Sequence, residues 1–382
     1  MDLSFEQGPI RPPSEARSLL IRATRNCPWN KCAFCHTYRG TKFSLRTAPE
    51  IKEDIRKAAQ IAEQITELSW RYGEGGQVSG TVVNHIYGQR ALYNDSFRAV
   101  ASWLYFGGES VFLQDANTLI MKTDDLIDIL TFIRERFPQV KRITTYGRSH
   151  SAARKSVEEL ISLRKAGLSR IHSGMESGCD AVLDFMRKGV TAADHIKGGQ
   201  RIVAAGISLC EYVMPGLGGS RWTKEHADDT AMVINNINPD FVRLRSLQVV
   251  RGTELYEMMQ RGEFEPLGDE AILSEIRQFI AGLDGIRTTF VSDHILNLLE
   301  ELEGRLPEDK PRLLKIIDRY FSLPEMDRII YQLGRRTGLL RRLDDLSDQR
   351  TYLKLKGIVD RYAEGETGQM ERDLAEAMQN YI

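Results

Sequence analysis

Three closely spaced cysteines are the residues whose type and spacing most directly indicate chemistry. Cys27, Cys32 and Cys35 have four and then two residues between them, and they follow the short apolar run Leu19–Ile21, which predicts a strand. Thiolates gathered in this way are typical ligands of an iron–sulfur cluster, in which each cysteine binds one iron. Because a four-iron cluster has more irons than this loop has cysteines, one iron would stay open to a substrate or a second cofactor.

Zinc and disulfide chemistry explain these cysteines less well. A zinc site takes four ligands from Cys and His, often as two pairs; His36 adjoins Cys35, but no second cysteine pair follows. Disulfides are disfavoured because the chain has only 5 cysteines in 382 residues and nothing that resembles a signal peptide. Cys179 and Cys210 are expected to be small buried side chains. A non-catalytic iron–sulfur or zinc protein, such as a redox sensor, is the alternative to an enzyme.

The cysteine loop resembles that of the radical S-adenosylmethionine (radical SAM) enzymes. The resemblance implies that the amino and carboxylate groups of SAM chelate the open iron of a [4Fe-4S] cluster. It also implies that an electron from the cluster cleaves SAM to a 5′-deoxyadenosyl radical, which abstracts hydrogen from a substrate that the residues do not identify. The commonest family spacing is three and then two residues, so the spacing here leaves the subgroup open. Phe34 stands where the family has an aromatic residue beside the adenine of SAM.

A glycine-rich segment provides a second point of resemblance. Trp103–Phe106 is apolar and predicts a buried strand, which ends in Gly107, Gly108 and Glu109. Glycines at the carboxyl end of a strand allow a ligand to approach the backbone. The family has a similar motif after its second strand, and this implies that Glu109 and the adjacent backbone hold the amino group of SAM.

Two later strand ends extend the resemblance. Glu176 follows a predicted strand at 168–173, and the family implies that an acid or amide there contacts the ribose or amino-acid end of SAM; a helix N-cap is the alternative role. Pro215 and Gly216 open a glycine-rich loop after a predicted strand at 207–214. In the family this loop lines the adenine. The loop has no Lys-Ser/Thr tail, so it is not a phosphate-binding nucleotide loop.

The positions of these motifs indicate the fold. Strand and helix patterns alternate six times, which predicts an α/β fold with a parallel sheet, a partial (β/α)6 TIM-like barrel with a C-terminal α-helical extension. We expect a lead-in at 1–15, the barrel at 16–285 and a strand and helical extension at 286–382. Ligands bind such sheets at the carboxyl ends of the strands. The predicted strands lie at 18–23, 103–106, 142–146, 168–173, 207–214 and 241–247.

Several segments keep more than one interpretation. Residues 70–88 are glycine-rich and polar, which predicts a long loop that is either a lid or a surface excursion. Arg243 and Arg245 alternate along the last predicted barrel strand. His294 is either a helix-capping residue or a substrate ligand, and the arginines at 335–336 and 341–342 form either a solvated face or an anion site.

Composition limits the partners. The chain has 52 basic and 53 acidic residues and a net charge of −1, which disfavours nucleic acid as a partner. No apolar run approaches the roughly 20 residues that span a bilayer, so we expect a cytoplasmic protein. The resemblance further implies an anaerobic or well-reduced cell, a small-molecule substrate and an electron donor such as flavodoxin or ferredoxin. A scaffold that binds SAM without cleaving it is a third hypothesis.

Overall fold

The computed structural model of the protein describes residues 3–363 and 373–374. Contacts between residues divide the chain into two compact units. Unit 1 contains residues 3–30, 37–173 and 197–209, and unit 2 contains residues 31–36, 174–196 and the described residues from 210 onward. The domain boundaries expected at residues 15 and 285 stay predictions.

Strands and helices alternate through most of the described chain. The strands are β1 Leu19–Arg22, β2 Thr24–Arg25, β3 Ser44–Leu45, β4 Ser110–Gln114, β5 Arg142–Gly147, β6 Leu168–Glu176, β7 Ser208–Val213, β8 Phe241–Leu244, β9 Thr288–Val291 and β10 Gly304–Leu306. The helices are α1 Ala48–Arg71, α2 Gly80–Gly88, α3 Asp95–Tyr105, α4 Thr123–Arg136, α5 Ser149–Ala152, α6 Val157–Ala166, α7 Asp180–Phe185, α8 Ala192–Ala204, α9 Thr223–Ile237, α10 Glu254–Gln260, α11 Asp269–Gly282, α12 Lys310–Phe321, α13 Glu325–Arg336 and α14 Gln349–Ala363.

Unit 1 is built on parallel strands in the order β1-β4-β5-β6. These strands are apolar and buried, as expected of a parallel sheet that helices cover, and Ile21 and Val111 are fully buried. Helix α1 begins with a capping box between Thr47 and Glu50, which satisfies amide groups that the first helical turn leaves free. A separate antiparallel pair, β2 and β3, flanks the cysteine loop in the sequence.

Unit 2 has neighbouring strands in the order β7-β8-β9-β10, of which β7, β8 and β9 are parallel and β10 is antiparallel to β9. Val242 and Leu244 of β8 are fully buried. Arg243 and Arg245 alternate with them and therefore lie on the opposite face. Helices α12, α13 and α14 follow the last strand. The predicted class, an α/β partial barrel with a C-terminal helical extension, is thus confirmed.

The strand predicted at 103–106 is wrong, whereas the other five predicted barrel strands are confirmed within a few residues. Residues 103–105 are the last turn of α3, which Asn94 caps by accepting the amide of Phe97. An apolar run of four residues fits a buried strand and a buried helix end equally well by periodicity. The strand instead occupies Ser110–Gln114, so it follows the glycines rather than preceding them.

The loop predicted at 70–88 is also only partly present. Its second half, Gly80–Gly88, is helix α2, which Ser79 caps by accepting the amide of Thr81. Val82 and Ile86 are fully buried at helical spacing, so tertiary packing outweighs the polar composition of the segment. No helix among the described residues is long and apolar enough to cross a bilayer.

Candidate functional site

A buried carboxylate in unit 1 fixes the start of the cysteine loop. Asp115 directly follows β4, and its side chain is fully buried. The carboxylate accepts the backbone N–H of Asn26 at 3.1 Å and the hydroxyl of Tyr38 at 2.7 Å, and it pairs with the Arg22 guanidinium at 2.7 Å. Burial and this neighbouring carboxylate raise the pKa of Tyr38 far above its ordinary value. Because Asn26 immediately precedes Cys27, Asp115 sets where the chain enters the loop.

Asn30 shapes the first turn of the loop, also in unit 1. Its backbone has a left-handed φ of 48°, which Asn tolerates better than most residues. Its backbone N–H donates to Cys27 Sγ at 3.4 Å, and its side-chain amide donates to the carbonyls of Tyr38 at 2.7 Å and Thr41 at 3.1 Å. A donor to sulfur is a contact that tunes cluster-ligating thiolates.

The second half of the loop is held by unit 2. Ala33 is fully buried; its N–H donates to the carbonyl of Met186 and its carbonyl accepts the N–H of Leu255, both at 2.9 Å. Cys32 and Cys35 flank this anchor, and the N–H of Cys35 donates to the carbonyl of Cys32 at 3.2 Å. The segment is therefore docked between the end of α7 and the start of α10.

The thiols are the donor set that an iron–sulfur cluster takes. Cys27, Cys32 and Cys35 are half-buried thiols outside any disulfide, whereas Cys179 and Cys210 are buried thiols, as expected from the sequence. Within residues 3–363 and 373–374, no three Cys, His, Asp or Glu side chains form a group that could hold one metal ion. By residue type and accessibility the loop fits the cluster.

In unit 2, Phe34 and Glu176 both lie close to the side chain of Lys188. The Lys188 ammonium lies 3.0 Å from Glu176 Oε1 and 5.7 Å from the centre of the Phe34 ring. Glu176 ends β6 with a left-handed φ of 67°, and its carbonyl accepts the N–H of Met214 at 2.9 Å. Sequence patterns did not indicate Lys188, because nothing in its local spacing shows that it reaches both residues.

The Pro215–Gly216 loop is held from two sides within unit 2. The carbonyl of Pro215 accepts the N–H of Leu247, and the N–H of Gly216 donates to Glu275 Oε1 at 2.7 Å. Gly216 has a φ of 85°, and a Cβ there would approach Ile272 Cδ1 to 3.2 Å. Glycine is therefore required for the backbone conformation at this position.

A buried, neutral pair supports that loop. Burial raises the pKa of Glu275 to about 8 and lowers the pKa of His226 to about 4, so both groups are predominantly uncharged at pH 7. His226 Nδ1 lies 2.8 Å from Ser177 Oγ, and its Nε2 lies 3.1 Å from the carbonyl of Met214. The pair connects the segments that follow β6 and β7. Neither residue was predicted from the sequence, since both lie inside helices without a recognisable spacing.

Gly107, Gly108 and Glu109 do not follow a strand, although the SAM-binding role expected from the sequence requires that position. The two glycines have φ values of 98° and 65° and end α3, where their amides bond back to the carbonyls of Leu104 and Trp103. Glu109 precedes β4; its side chain is 53% exposed and pairs with Lys141 at 2.6 Å. The motif lies at the amino end of a strand rather than at the carboxyl end, so we do not retain it as a SAM site.

The C-terminal arginines are paired within unit 2. Arg335 Nη1 lies 3.1 Å from Glu300, which also pairs with Arg341, and Arg336 pairs with Asp269. Each of these three arginines pairs with a carboxylate, although Glu300 is shared between two of them. The hypothesis that the cluster is an anion site stays a prediction.

Comparison with known proteins identifies the class. The family model described as "Radical SAM superfamily" matches residues 21–231, which is more than half of the chain and includes the cysteine loop. The chain belongs to the radical SAM superfamily. Members of this superfamily are enzymes that bind a [4Fe-4S] cluster and SAM.

Individual relatives and solved structures match to different extents, and the chain spans about half or less of the length of each of the three described below. The chain is 31% identical over 120 residues to a tRNA uridine(34) acetyltransferase of Methanocaldococcus jannaschii, a match that covers 31% of this chain and 22% of that protein. A structure of Methanocaldococcus infernus Elp3 aligns with a TM-score of 0.40 and 20% identity, over 56% of this chain and 53% of that one. The cobalamin-dependent SAM radical enzyme OxsB aligns with a TM-score of 0.47 and 13% identity, over 92% of this chain and 50% of that one.

Proposed function

We propose that Cys27, Cys32 and Cys35 bind a [4Fe-4S] cluster and that the protein cleaves SAM reductively to act on a small-molecule substrate. The observation that carries the proposal is the presence of three half-buried thiols, outside any disulfide and with this spacing, inside the family match at residues 21–231. The irons would draw these thiols together, because metal binding and the local folding of a ligand loop are coupled.

The bound cofactor pair would supply a 5′-deoxyadenosyl radical for hydrogen abstraction. The residues of this chain supply binding and orientation. Phe34 would pack against the adenine of SAM, and the Gly216 backbone would approach the nucleoside because no side chain blocks it. Glu176 would accept hydrogen bonds from the ribose or the ammonium group, since a carboxylate is the strongest acceptor for a charged donor. Lys188 would position Glu176.

Asp115 takes a positioning role in this proposal. It fixes the entry to the cysteine loop and contacts Asn26, which directly precedes Cys27. This role replaces the one first assigned to Glu109. The apolar run Val111–Leu113 followed by two polar residues was the sequence signal that could have located it.

The proposal includes a reductant and a compartment. Flavodoxin or ferredoxin would supply the electron, and an anaerobic cytoplasm would suit five cysteines outside any disulfide and an oxygen-sensitive cluster. RNA is a second candidate substrate, because the M. jannaschii relative is named a tRNA uridine(34) acetyltransferase. Binding of total tRNA at physiological salt would favour RNA over a small molecule.

Anaerobic reconstitution tests the function. We expect about four irons and four sulfides per chain, and 5′-deoxyadenosine after addition of SAM and dithionite. The Cys32→Ala variant should lose both, whereas Cys210→Ala, which removes a buried thiol outside the loop, should keep both. One zinc per chain without SAM cleavage would favour the sensor hypothesis. SAM binding without cleavage would favour the scaffold.

A further inference from the structure

Arg245 in unit 2 is a half-buried cation without a hydrogen-bond or ion-pair partner for its side chain among residues 3–363 and 373–374. Its side chain makes no hydrogen bond or ion pair with any other residue in the described part of the chain. Its backbone N–H donates to the carbonyl of Val213 at 3.0 Å, so the residue continues β8 alongside β7. Withdrawing a guanidinium from water without a compensating partner is costly. The guanidinium N–H groups of Arg245 are therefore available to donate hydrogen bonds to a ligand.

A second arginine adds to this positive charge. Arg243 lies two residues earlier on the same face of β8, and its side chain is only 12% exposed. One of its terminal nitrogens pairs with Asp293 at 3.2 Å, while Nε and Nη1 are buried without a hydrogen-bond partner among the described residues. Within the described part of the chain, Asp293 is the one carboxylate that pairs with either of these two guanidinium groups. The face therefore carries an excess of positive charge.

His294 contributes a neutral donor next to the arginines. Its Nδ1 accepts the N–H of Leu296 at 3.2 Å, which assigns the ring proton to Nε2. Burial, followed by the charges of Arg245 and Arg243, lowers the pKa of His294 to about 4. The histidine therefore adds a donor to the site without adding charge at neutral pH. This contact lies in a turn at which no helix of the described chain begins, so the helix-capping expectation is wrong, and Nε2 stays available.

The cationic face lies close to residues of the proposed cofactor site within unit 2. Two residues after Arg245, the N–H of Leu247 donates to the carbonyl of Pro215 at 2.8 Å, in the loop that would approach SAM. Asn297 fixes the backbone: its side chain accepts the N–H of Ser246 at 2.9 Å and donates to the carbonyl of Leu244 at 2.9 Å. Arg245 is thus held between two anchored neighbours, so its position is preorganised for a ligand.

We propose that Arg245, with Arg243 and His294, binds an oxyanion group, a carboxylate or a phosphate, of the substrate. A guanidinium presents paired donors that match the two oxygens of such a group. The substrate assignment rests on the proposed function, in which Phe34, Glu176 and Gly216 contact SAM. The segment after β8 runs beside the SAM-lining segment after β7, which places the anion next to SAM.

Inorganic phosphate serves as the probe, titrated by 31P NMR into the reconstituted enzyme with saturating SAM and no reductant. We expect saturable binding that weakens at least about tenfold in Arg245→Gln, since a hydrogen bond to a charged group contributes about 1.4 kcal/mol or more. Arg245→Lys should recover part of the affinity, because lysine keeps the positive charge but lacks the paired N–H donors of the guanidinium group. Arg350→Gln, which removes an exposed guanidinium in the same unit, should match the wild type.

Two results would overturn the inference. One is phosphate binding that is absent, or equal in Arg245→Gln and the wild type, while both proteins have the same unfolding midpoint. The other is a similar loss of SAM affinity in Arg245→Gln together with competition between phosphate and SAM, because the anion would then be the carboxylate of SAM itself. Cluster content and SAM cleavage are measured on the same samples, so a failure of the proposed function is recognised separately.

Discussion

Two buried carboxyl groups, one in each unit, hold backbone segments of the candidate site by different physical means. Asp115 in unit 1 is surrounded by donors: a guanidinium, a phenol and a backbone amide. Glu275 in unit 2 accepts the amide of Gly216 and lies 3.6 Å from a neutral histidine, and its second oxygen is buried without a partner among the described residues. Burial of an acid therefore does not determine its charge; the donors around it do.

The two carboxyl groups represent two ways of holding a backbone segment, one with a charged group and one with a neutral group. A paired, charged anchor is strong but depends on every partner, because removing one leaves an unpaired charge in the protein. A buried neutral carboxyl group such as Glu275 needs few hydrogen-bond partners, but the fold is destabilised when that group loses its proton. Two further glutamates are closer to solvent. Glu176 is partly exposed and pairs with Lys188, and Glu109 lies at the surface, where it pairs with Lys141.

Asp115→Asn gives the largest expected effect. The substitution keeps the shape but leaves the Arg22 guanidinium with only Glu6, 3.0 Å away, as an acidic partner in the ion pairs observed here. We expect a loss of about 3 kcal/mol in the free energy of unfolding, measured by urea denaturation. Asp128→Asn, which removes an exposed partner of Lys52, should cost less than about 1 kcal/mol. Equal effects would show that Asp115 is not a charged anchor.

Glu275→Gln should change the pH dependence of stability. The folded-state pKa of Glu275 is raised to about 8, so the folded protein keeps a proton that the unfolded chain releases above its ordinary pKa near 4.5. Its contribution is therefore fully present below pH 4.5 and is lost as the pH rises to 8, by up to about 5 kcal/mol. The variant should lack this decline, whereas Glu225→Gln at an exposed position should retain it. An identical decline in all three proteins would contradict the neutral state.

Glu176→Gln tests whether the partly exposed acid binds the cofactor. We expect SAM to bind about tenfold more weakly, which corresponds to about 1.4 kcal/mol, in equilibrium dialysis with the reconstituted protein. The loss should come from the missing charge, because glutamine keeps the size and one acceptor oxygen. Unchanged affinity would restrict Glu176 to a structural role.

Glu109→Gln should have the smallest effect. Its carboxylate is 53% exposed and pairs with the exposed Lys141, so we expect a change below about 1 kcal/mol in unfolding free energy. SAM affinity in the same dialysis measurement should equal that of the wild type. A tenfold loss would restore the role that the sequence motif suggested.

The errors of sequence interpretation occurred where local patterns were ambiguous. Residues 103–106 are apolar in a run too short to distinguish a strand from a helix end. Taking them as a strand placed Glu109 at the wrong end of β4. Residues 80–88 were assigned to a loop because of the glycine-rich segment before them, although Val82 and Ile86 have helical spacing.

The sequence by itself determined the cysteine spacing, the alternation of strands and helices, and the glycines that the loop after β7 requires. These features depend on neighbouring residues and on backbone conformation, so local chemistry is sufficient to recognise them. Only the tertiary structure decided that Asp115 contacts Asn26, that Lys188 lies near both Phe34 and Glu176, and that the Arg245 side chain has no partner in the part of the chain that the structure describes. Such contacts join residues far apart in the chain, and their energies depend on burial and on neighbouring charges that no local pattern records.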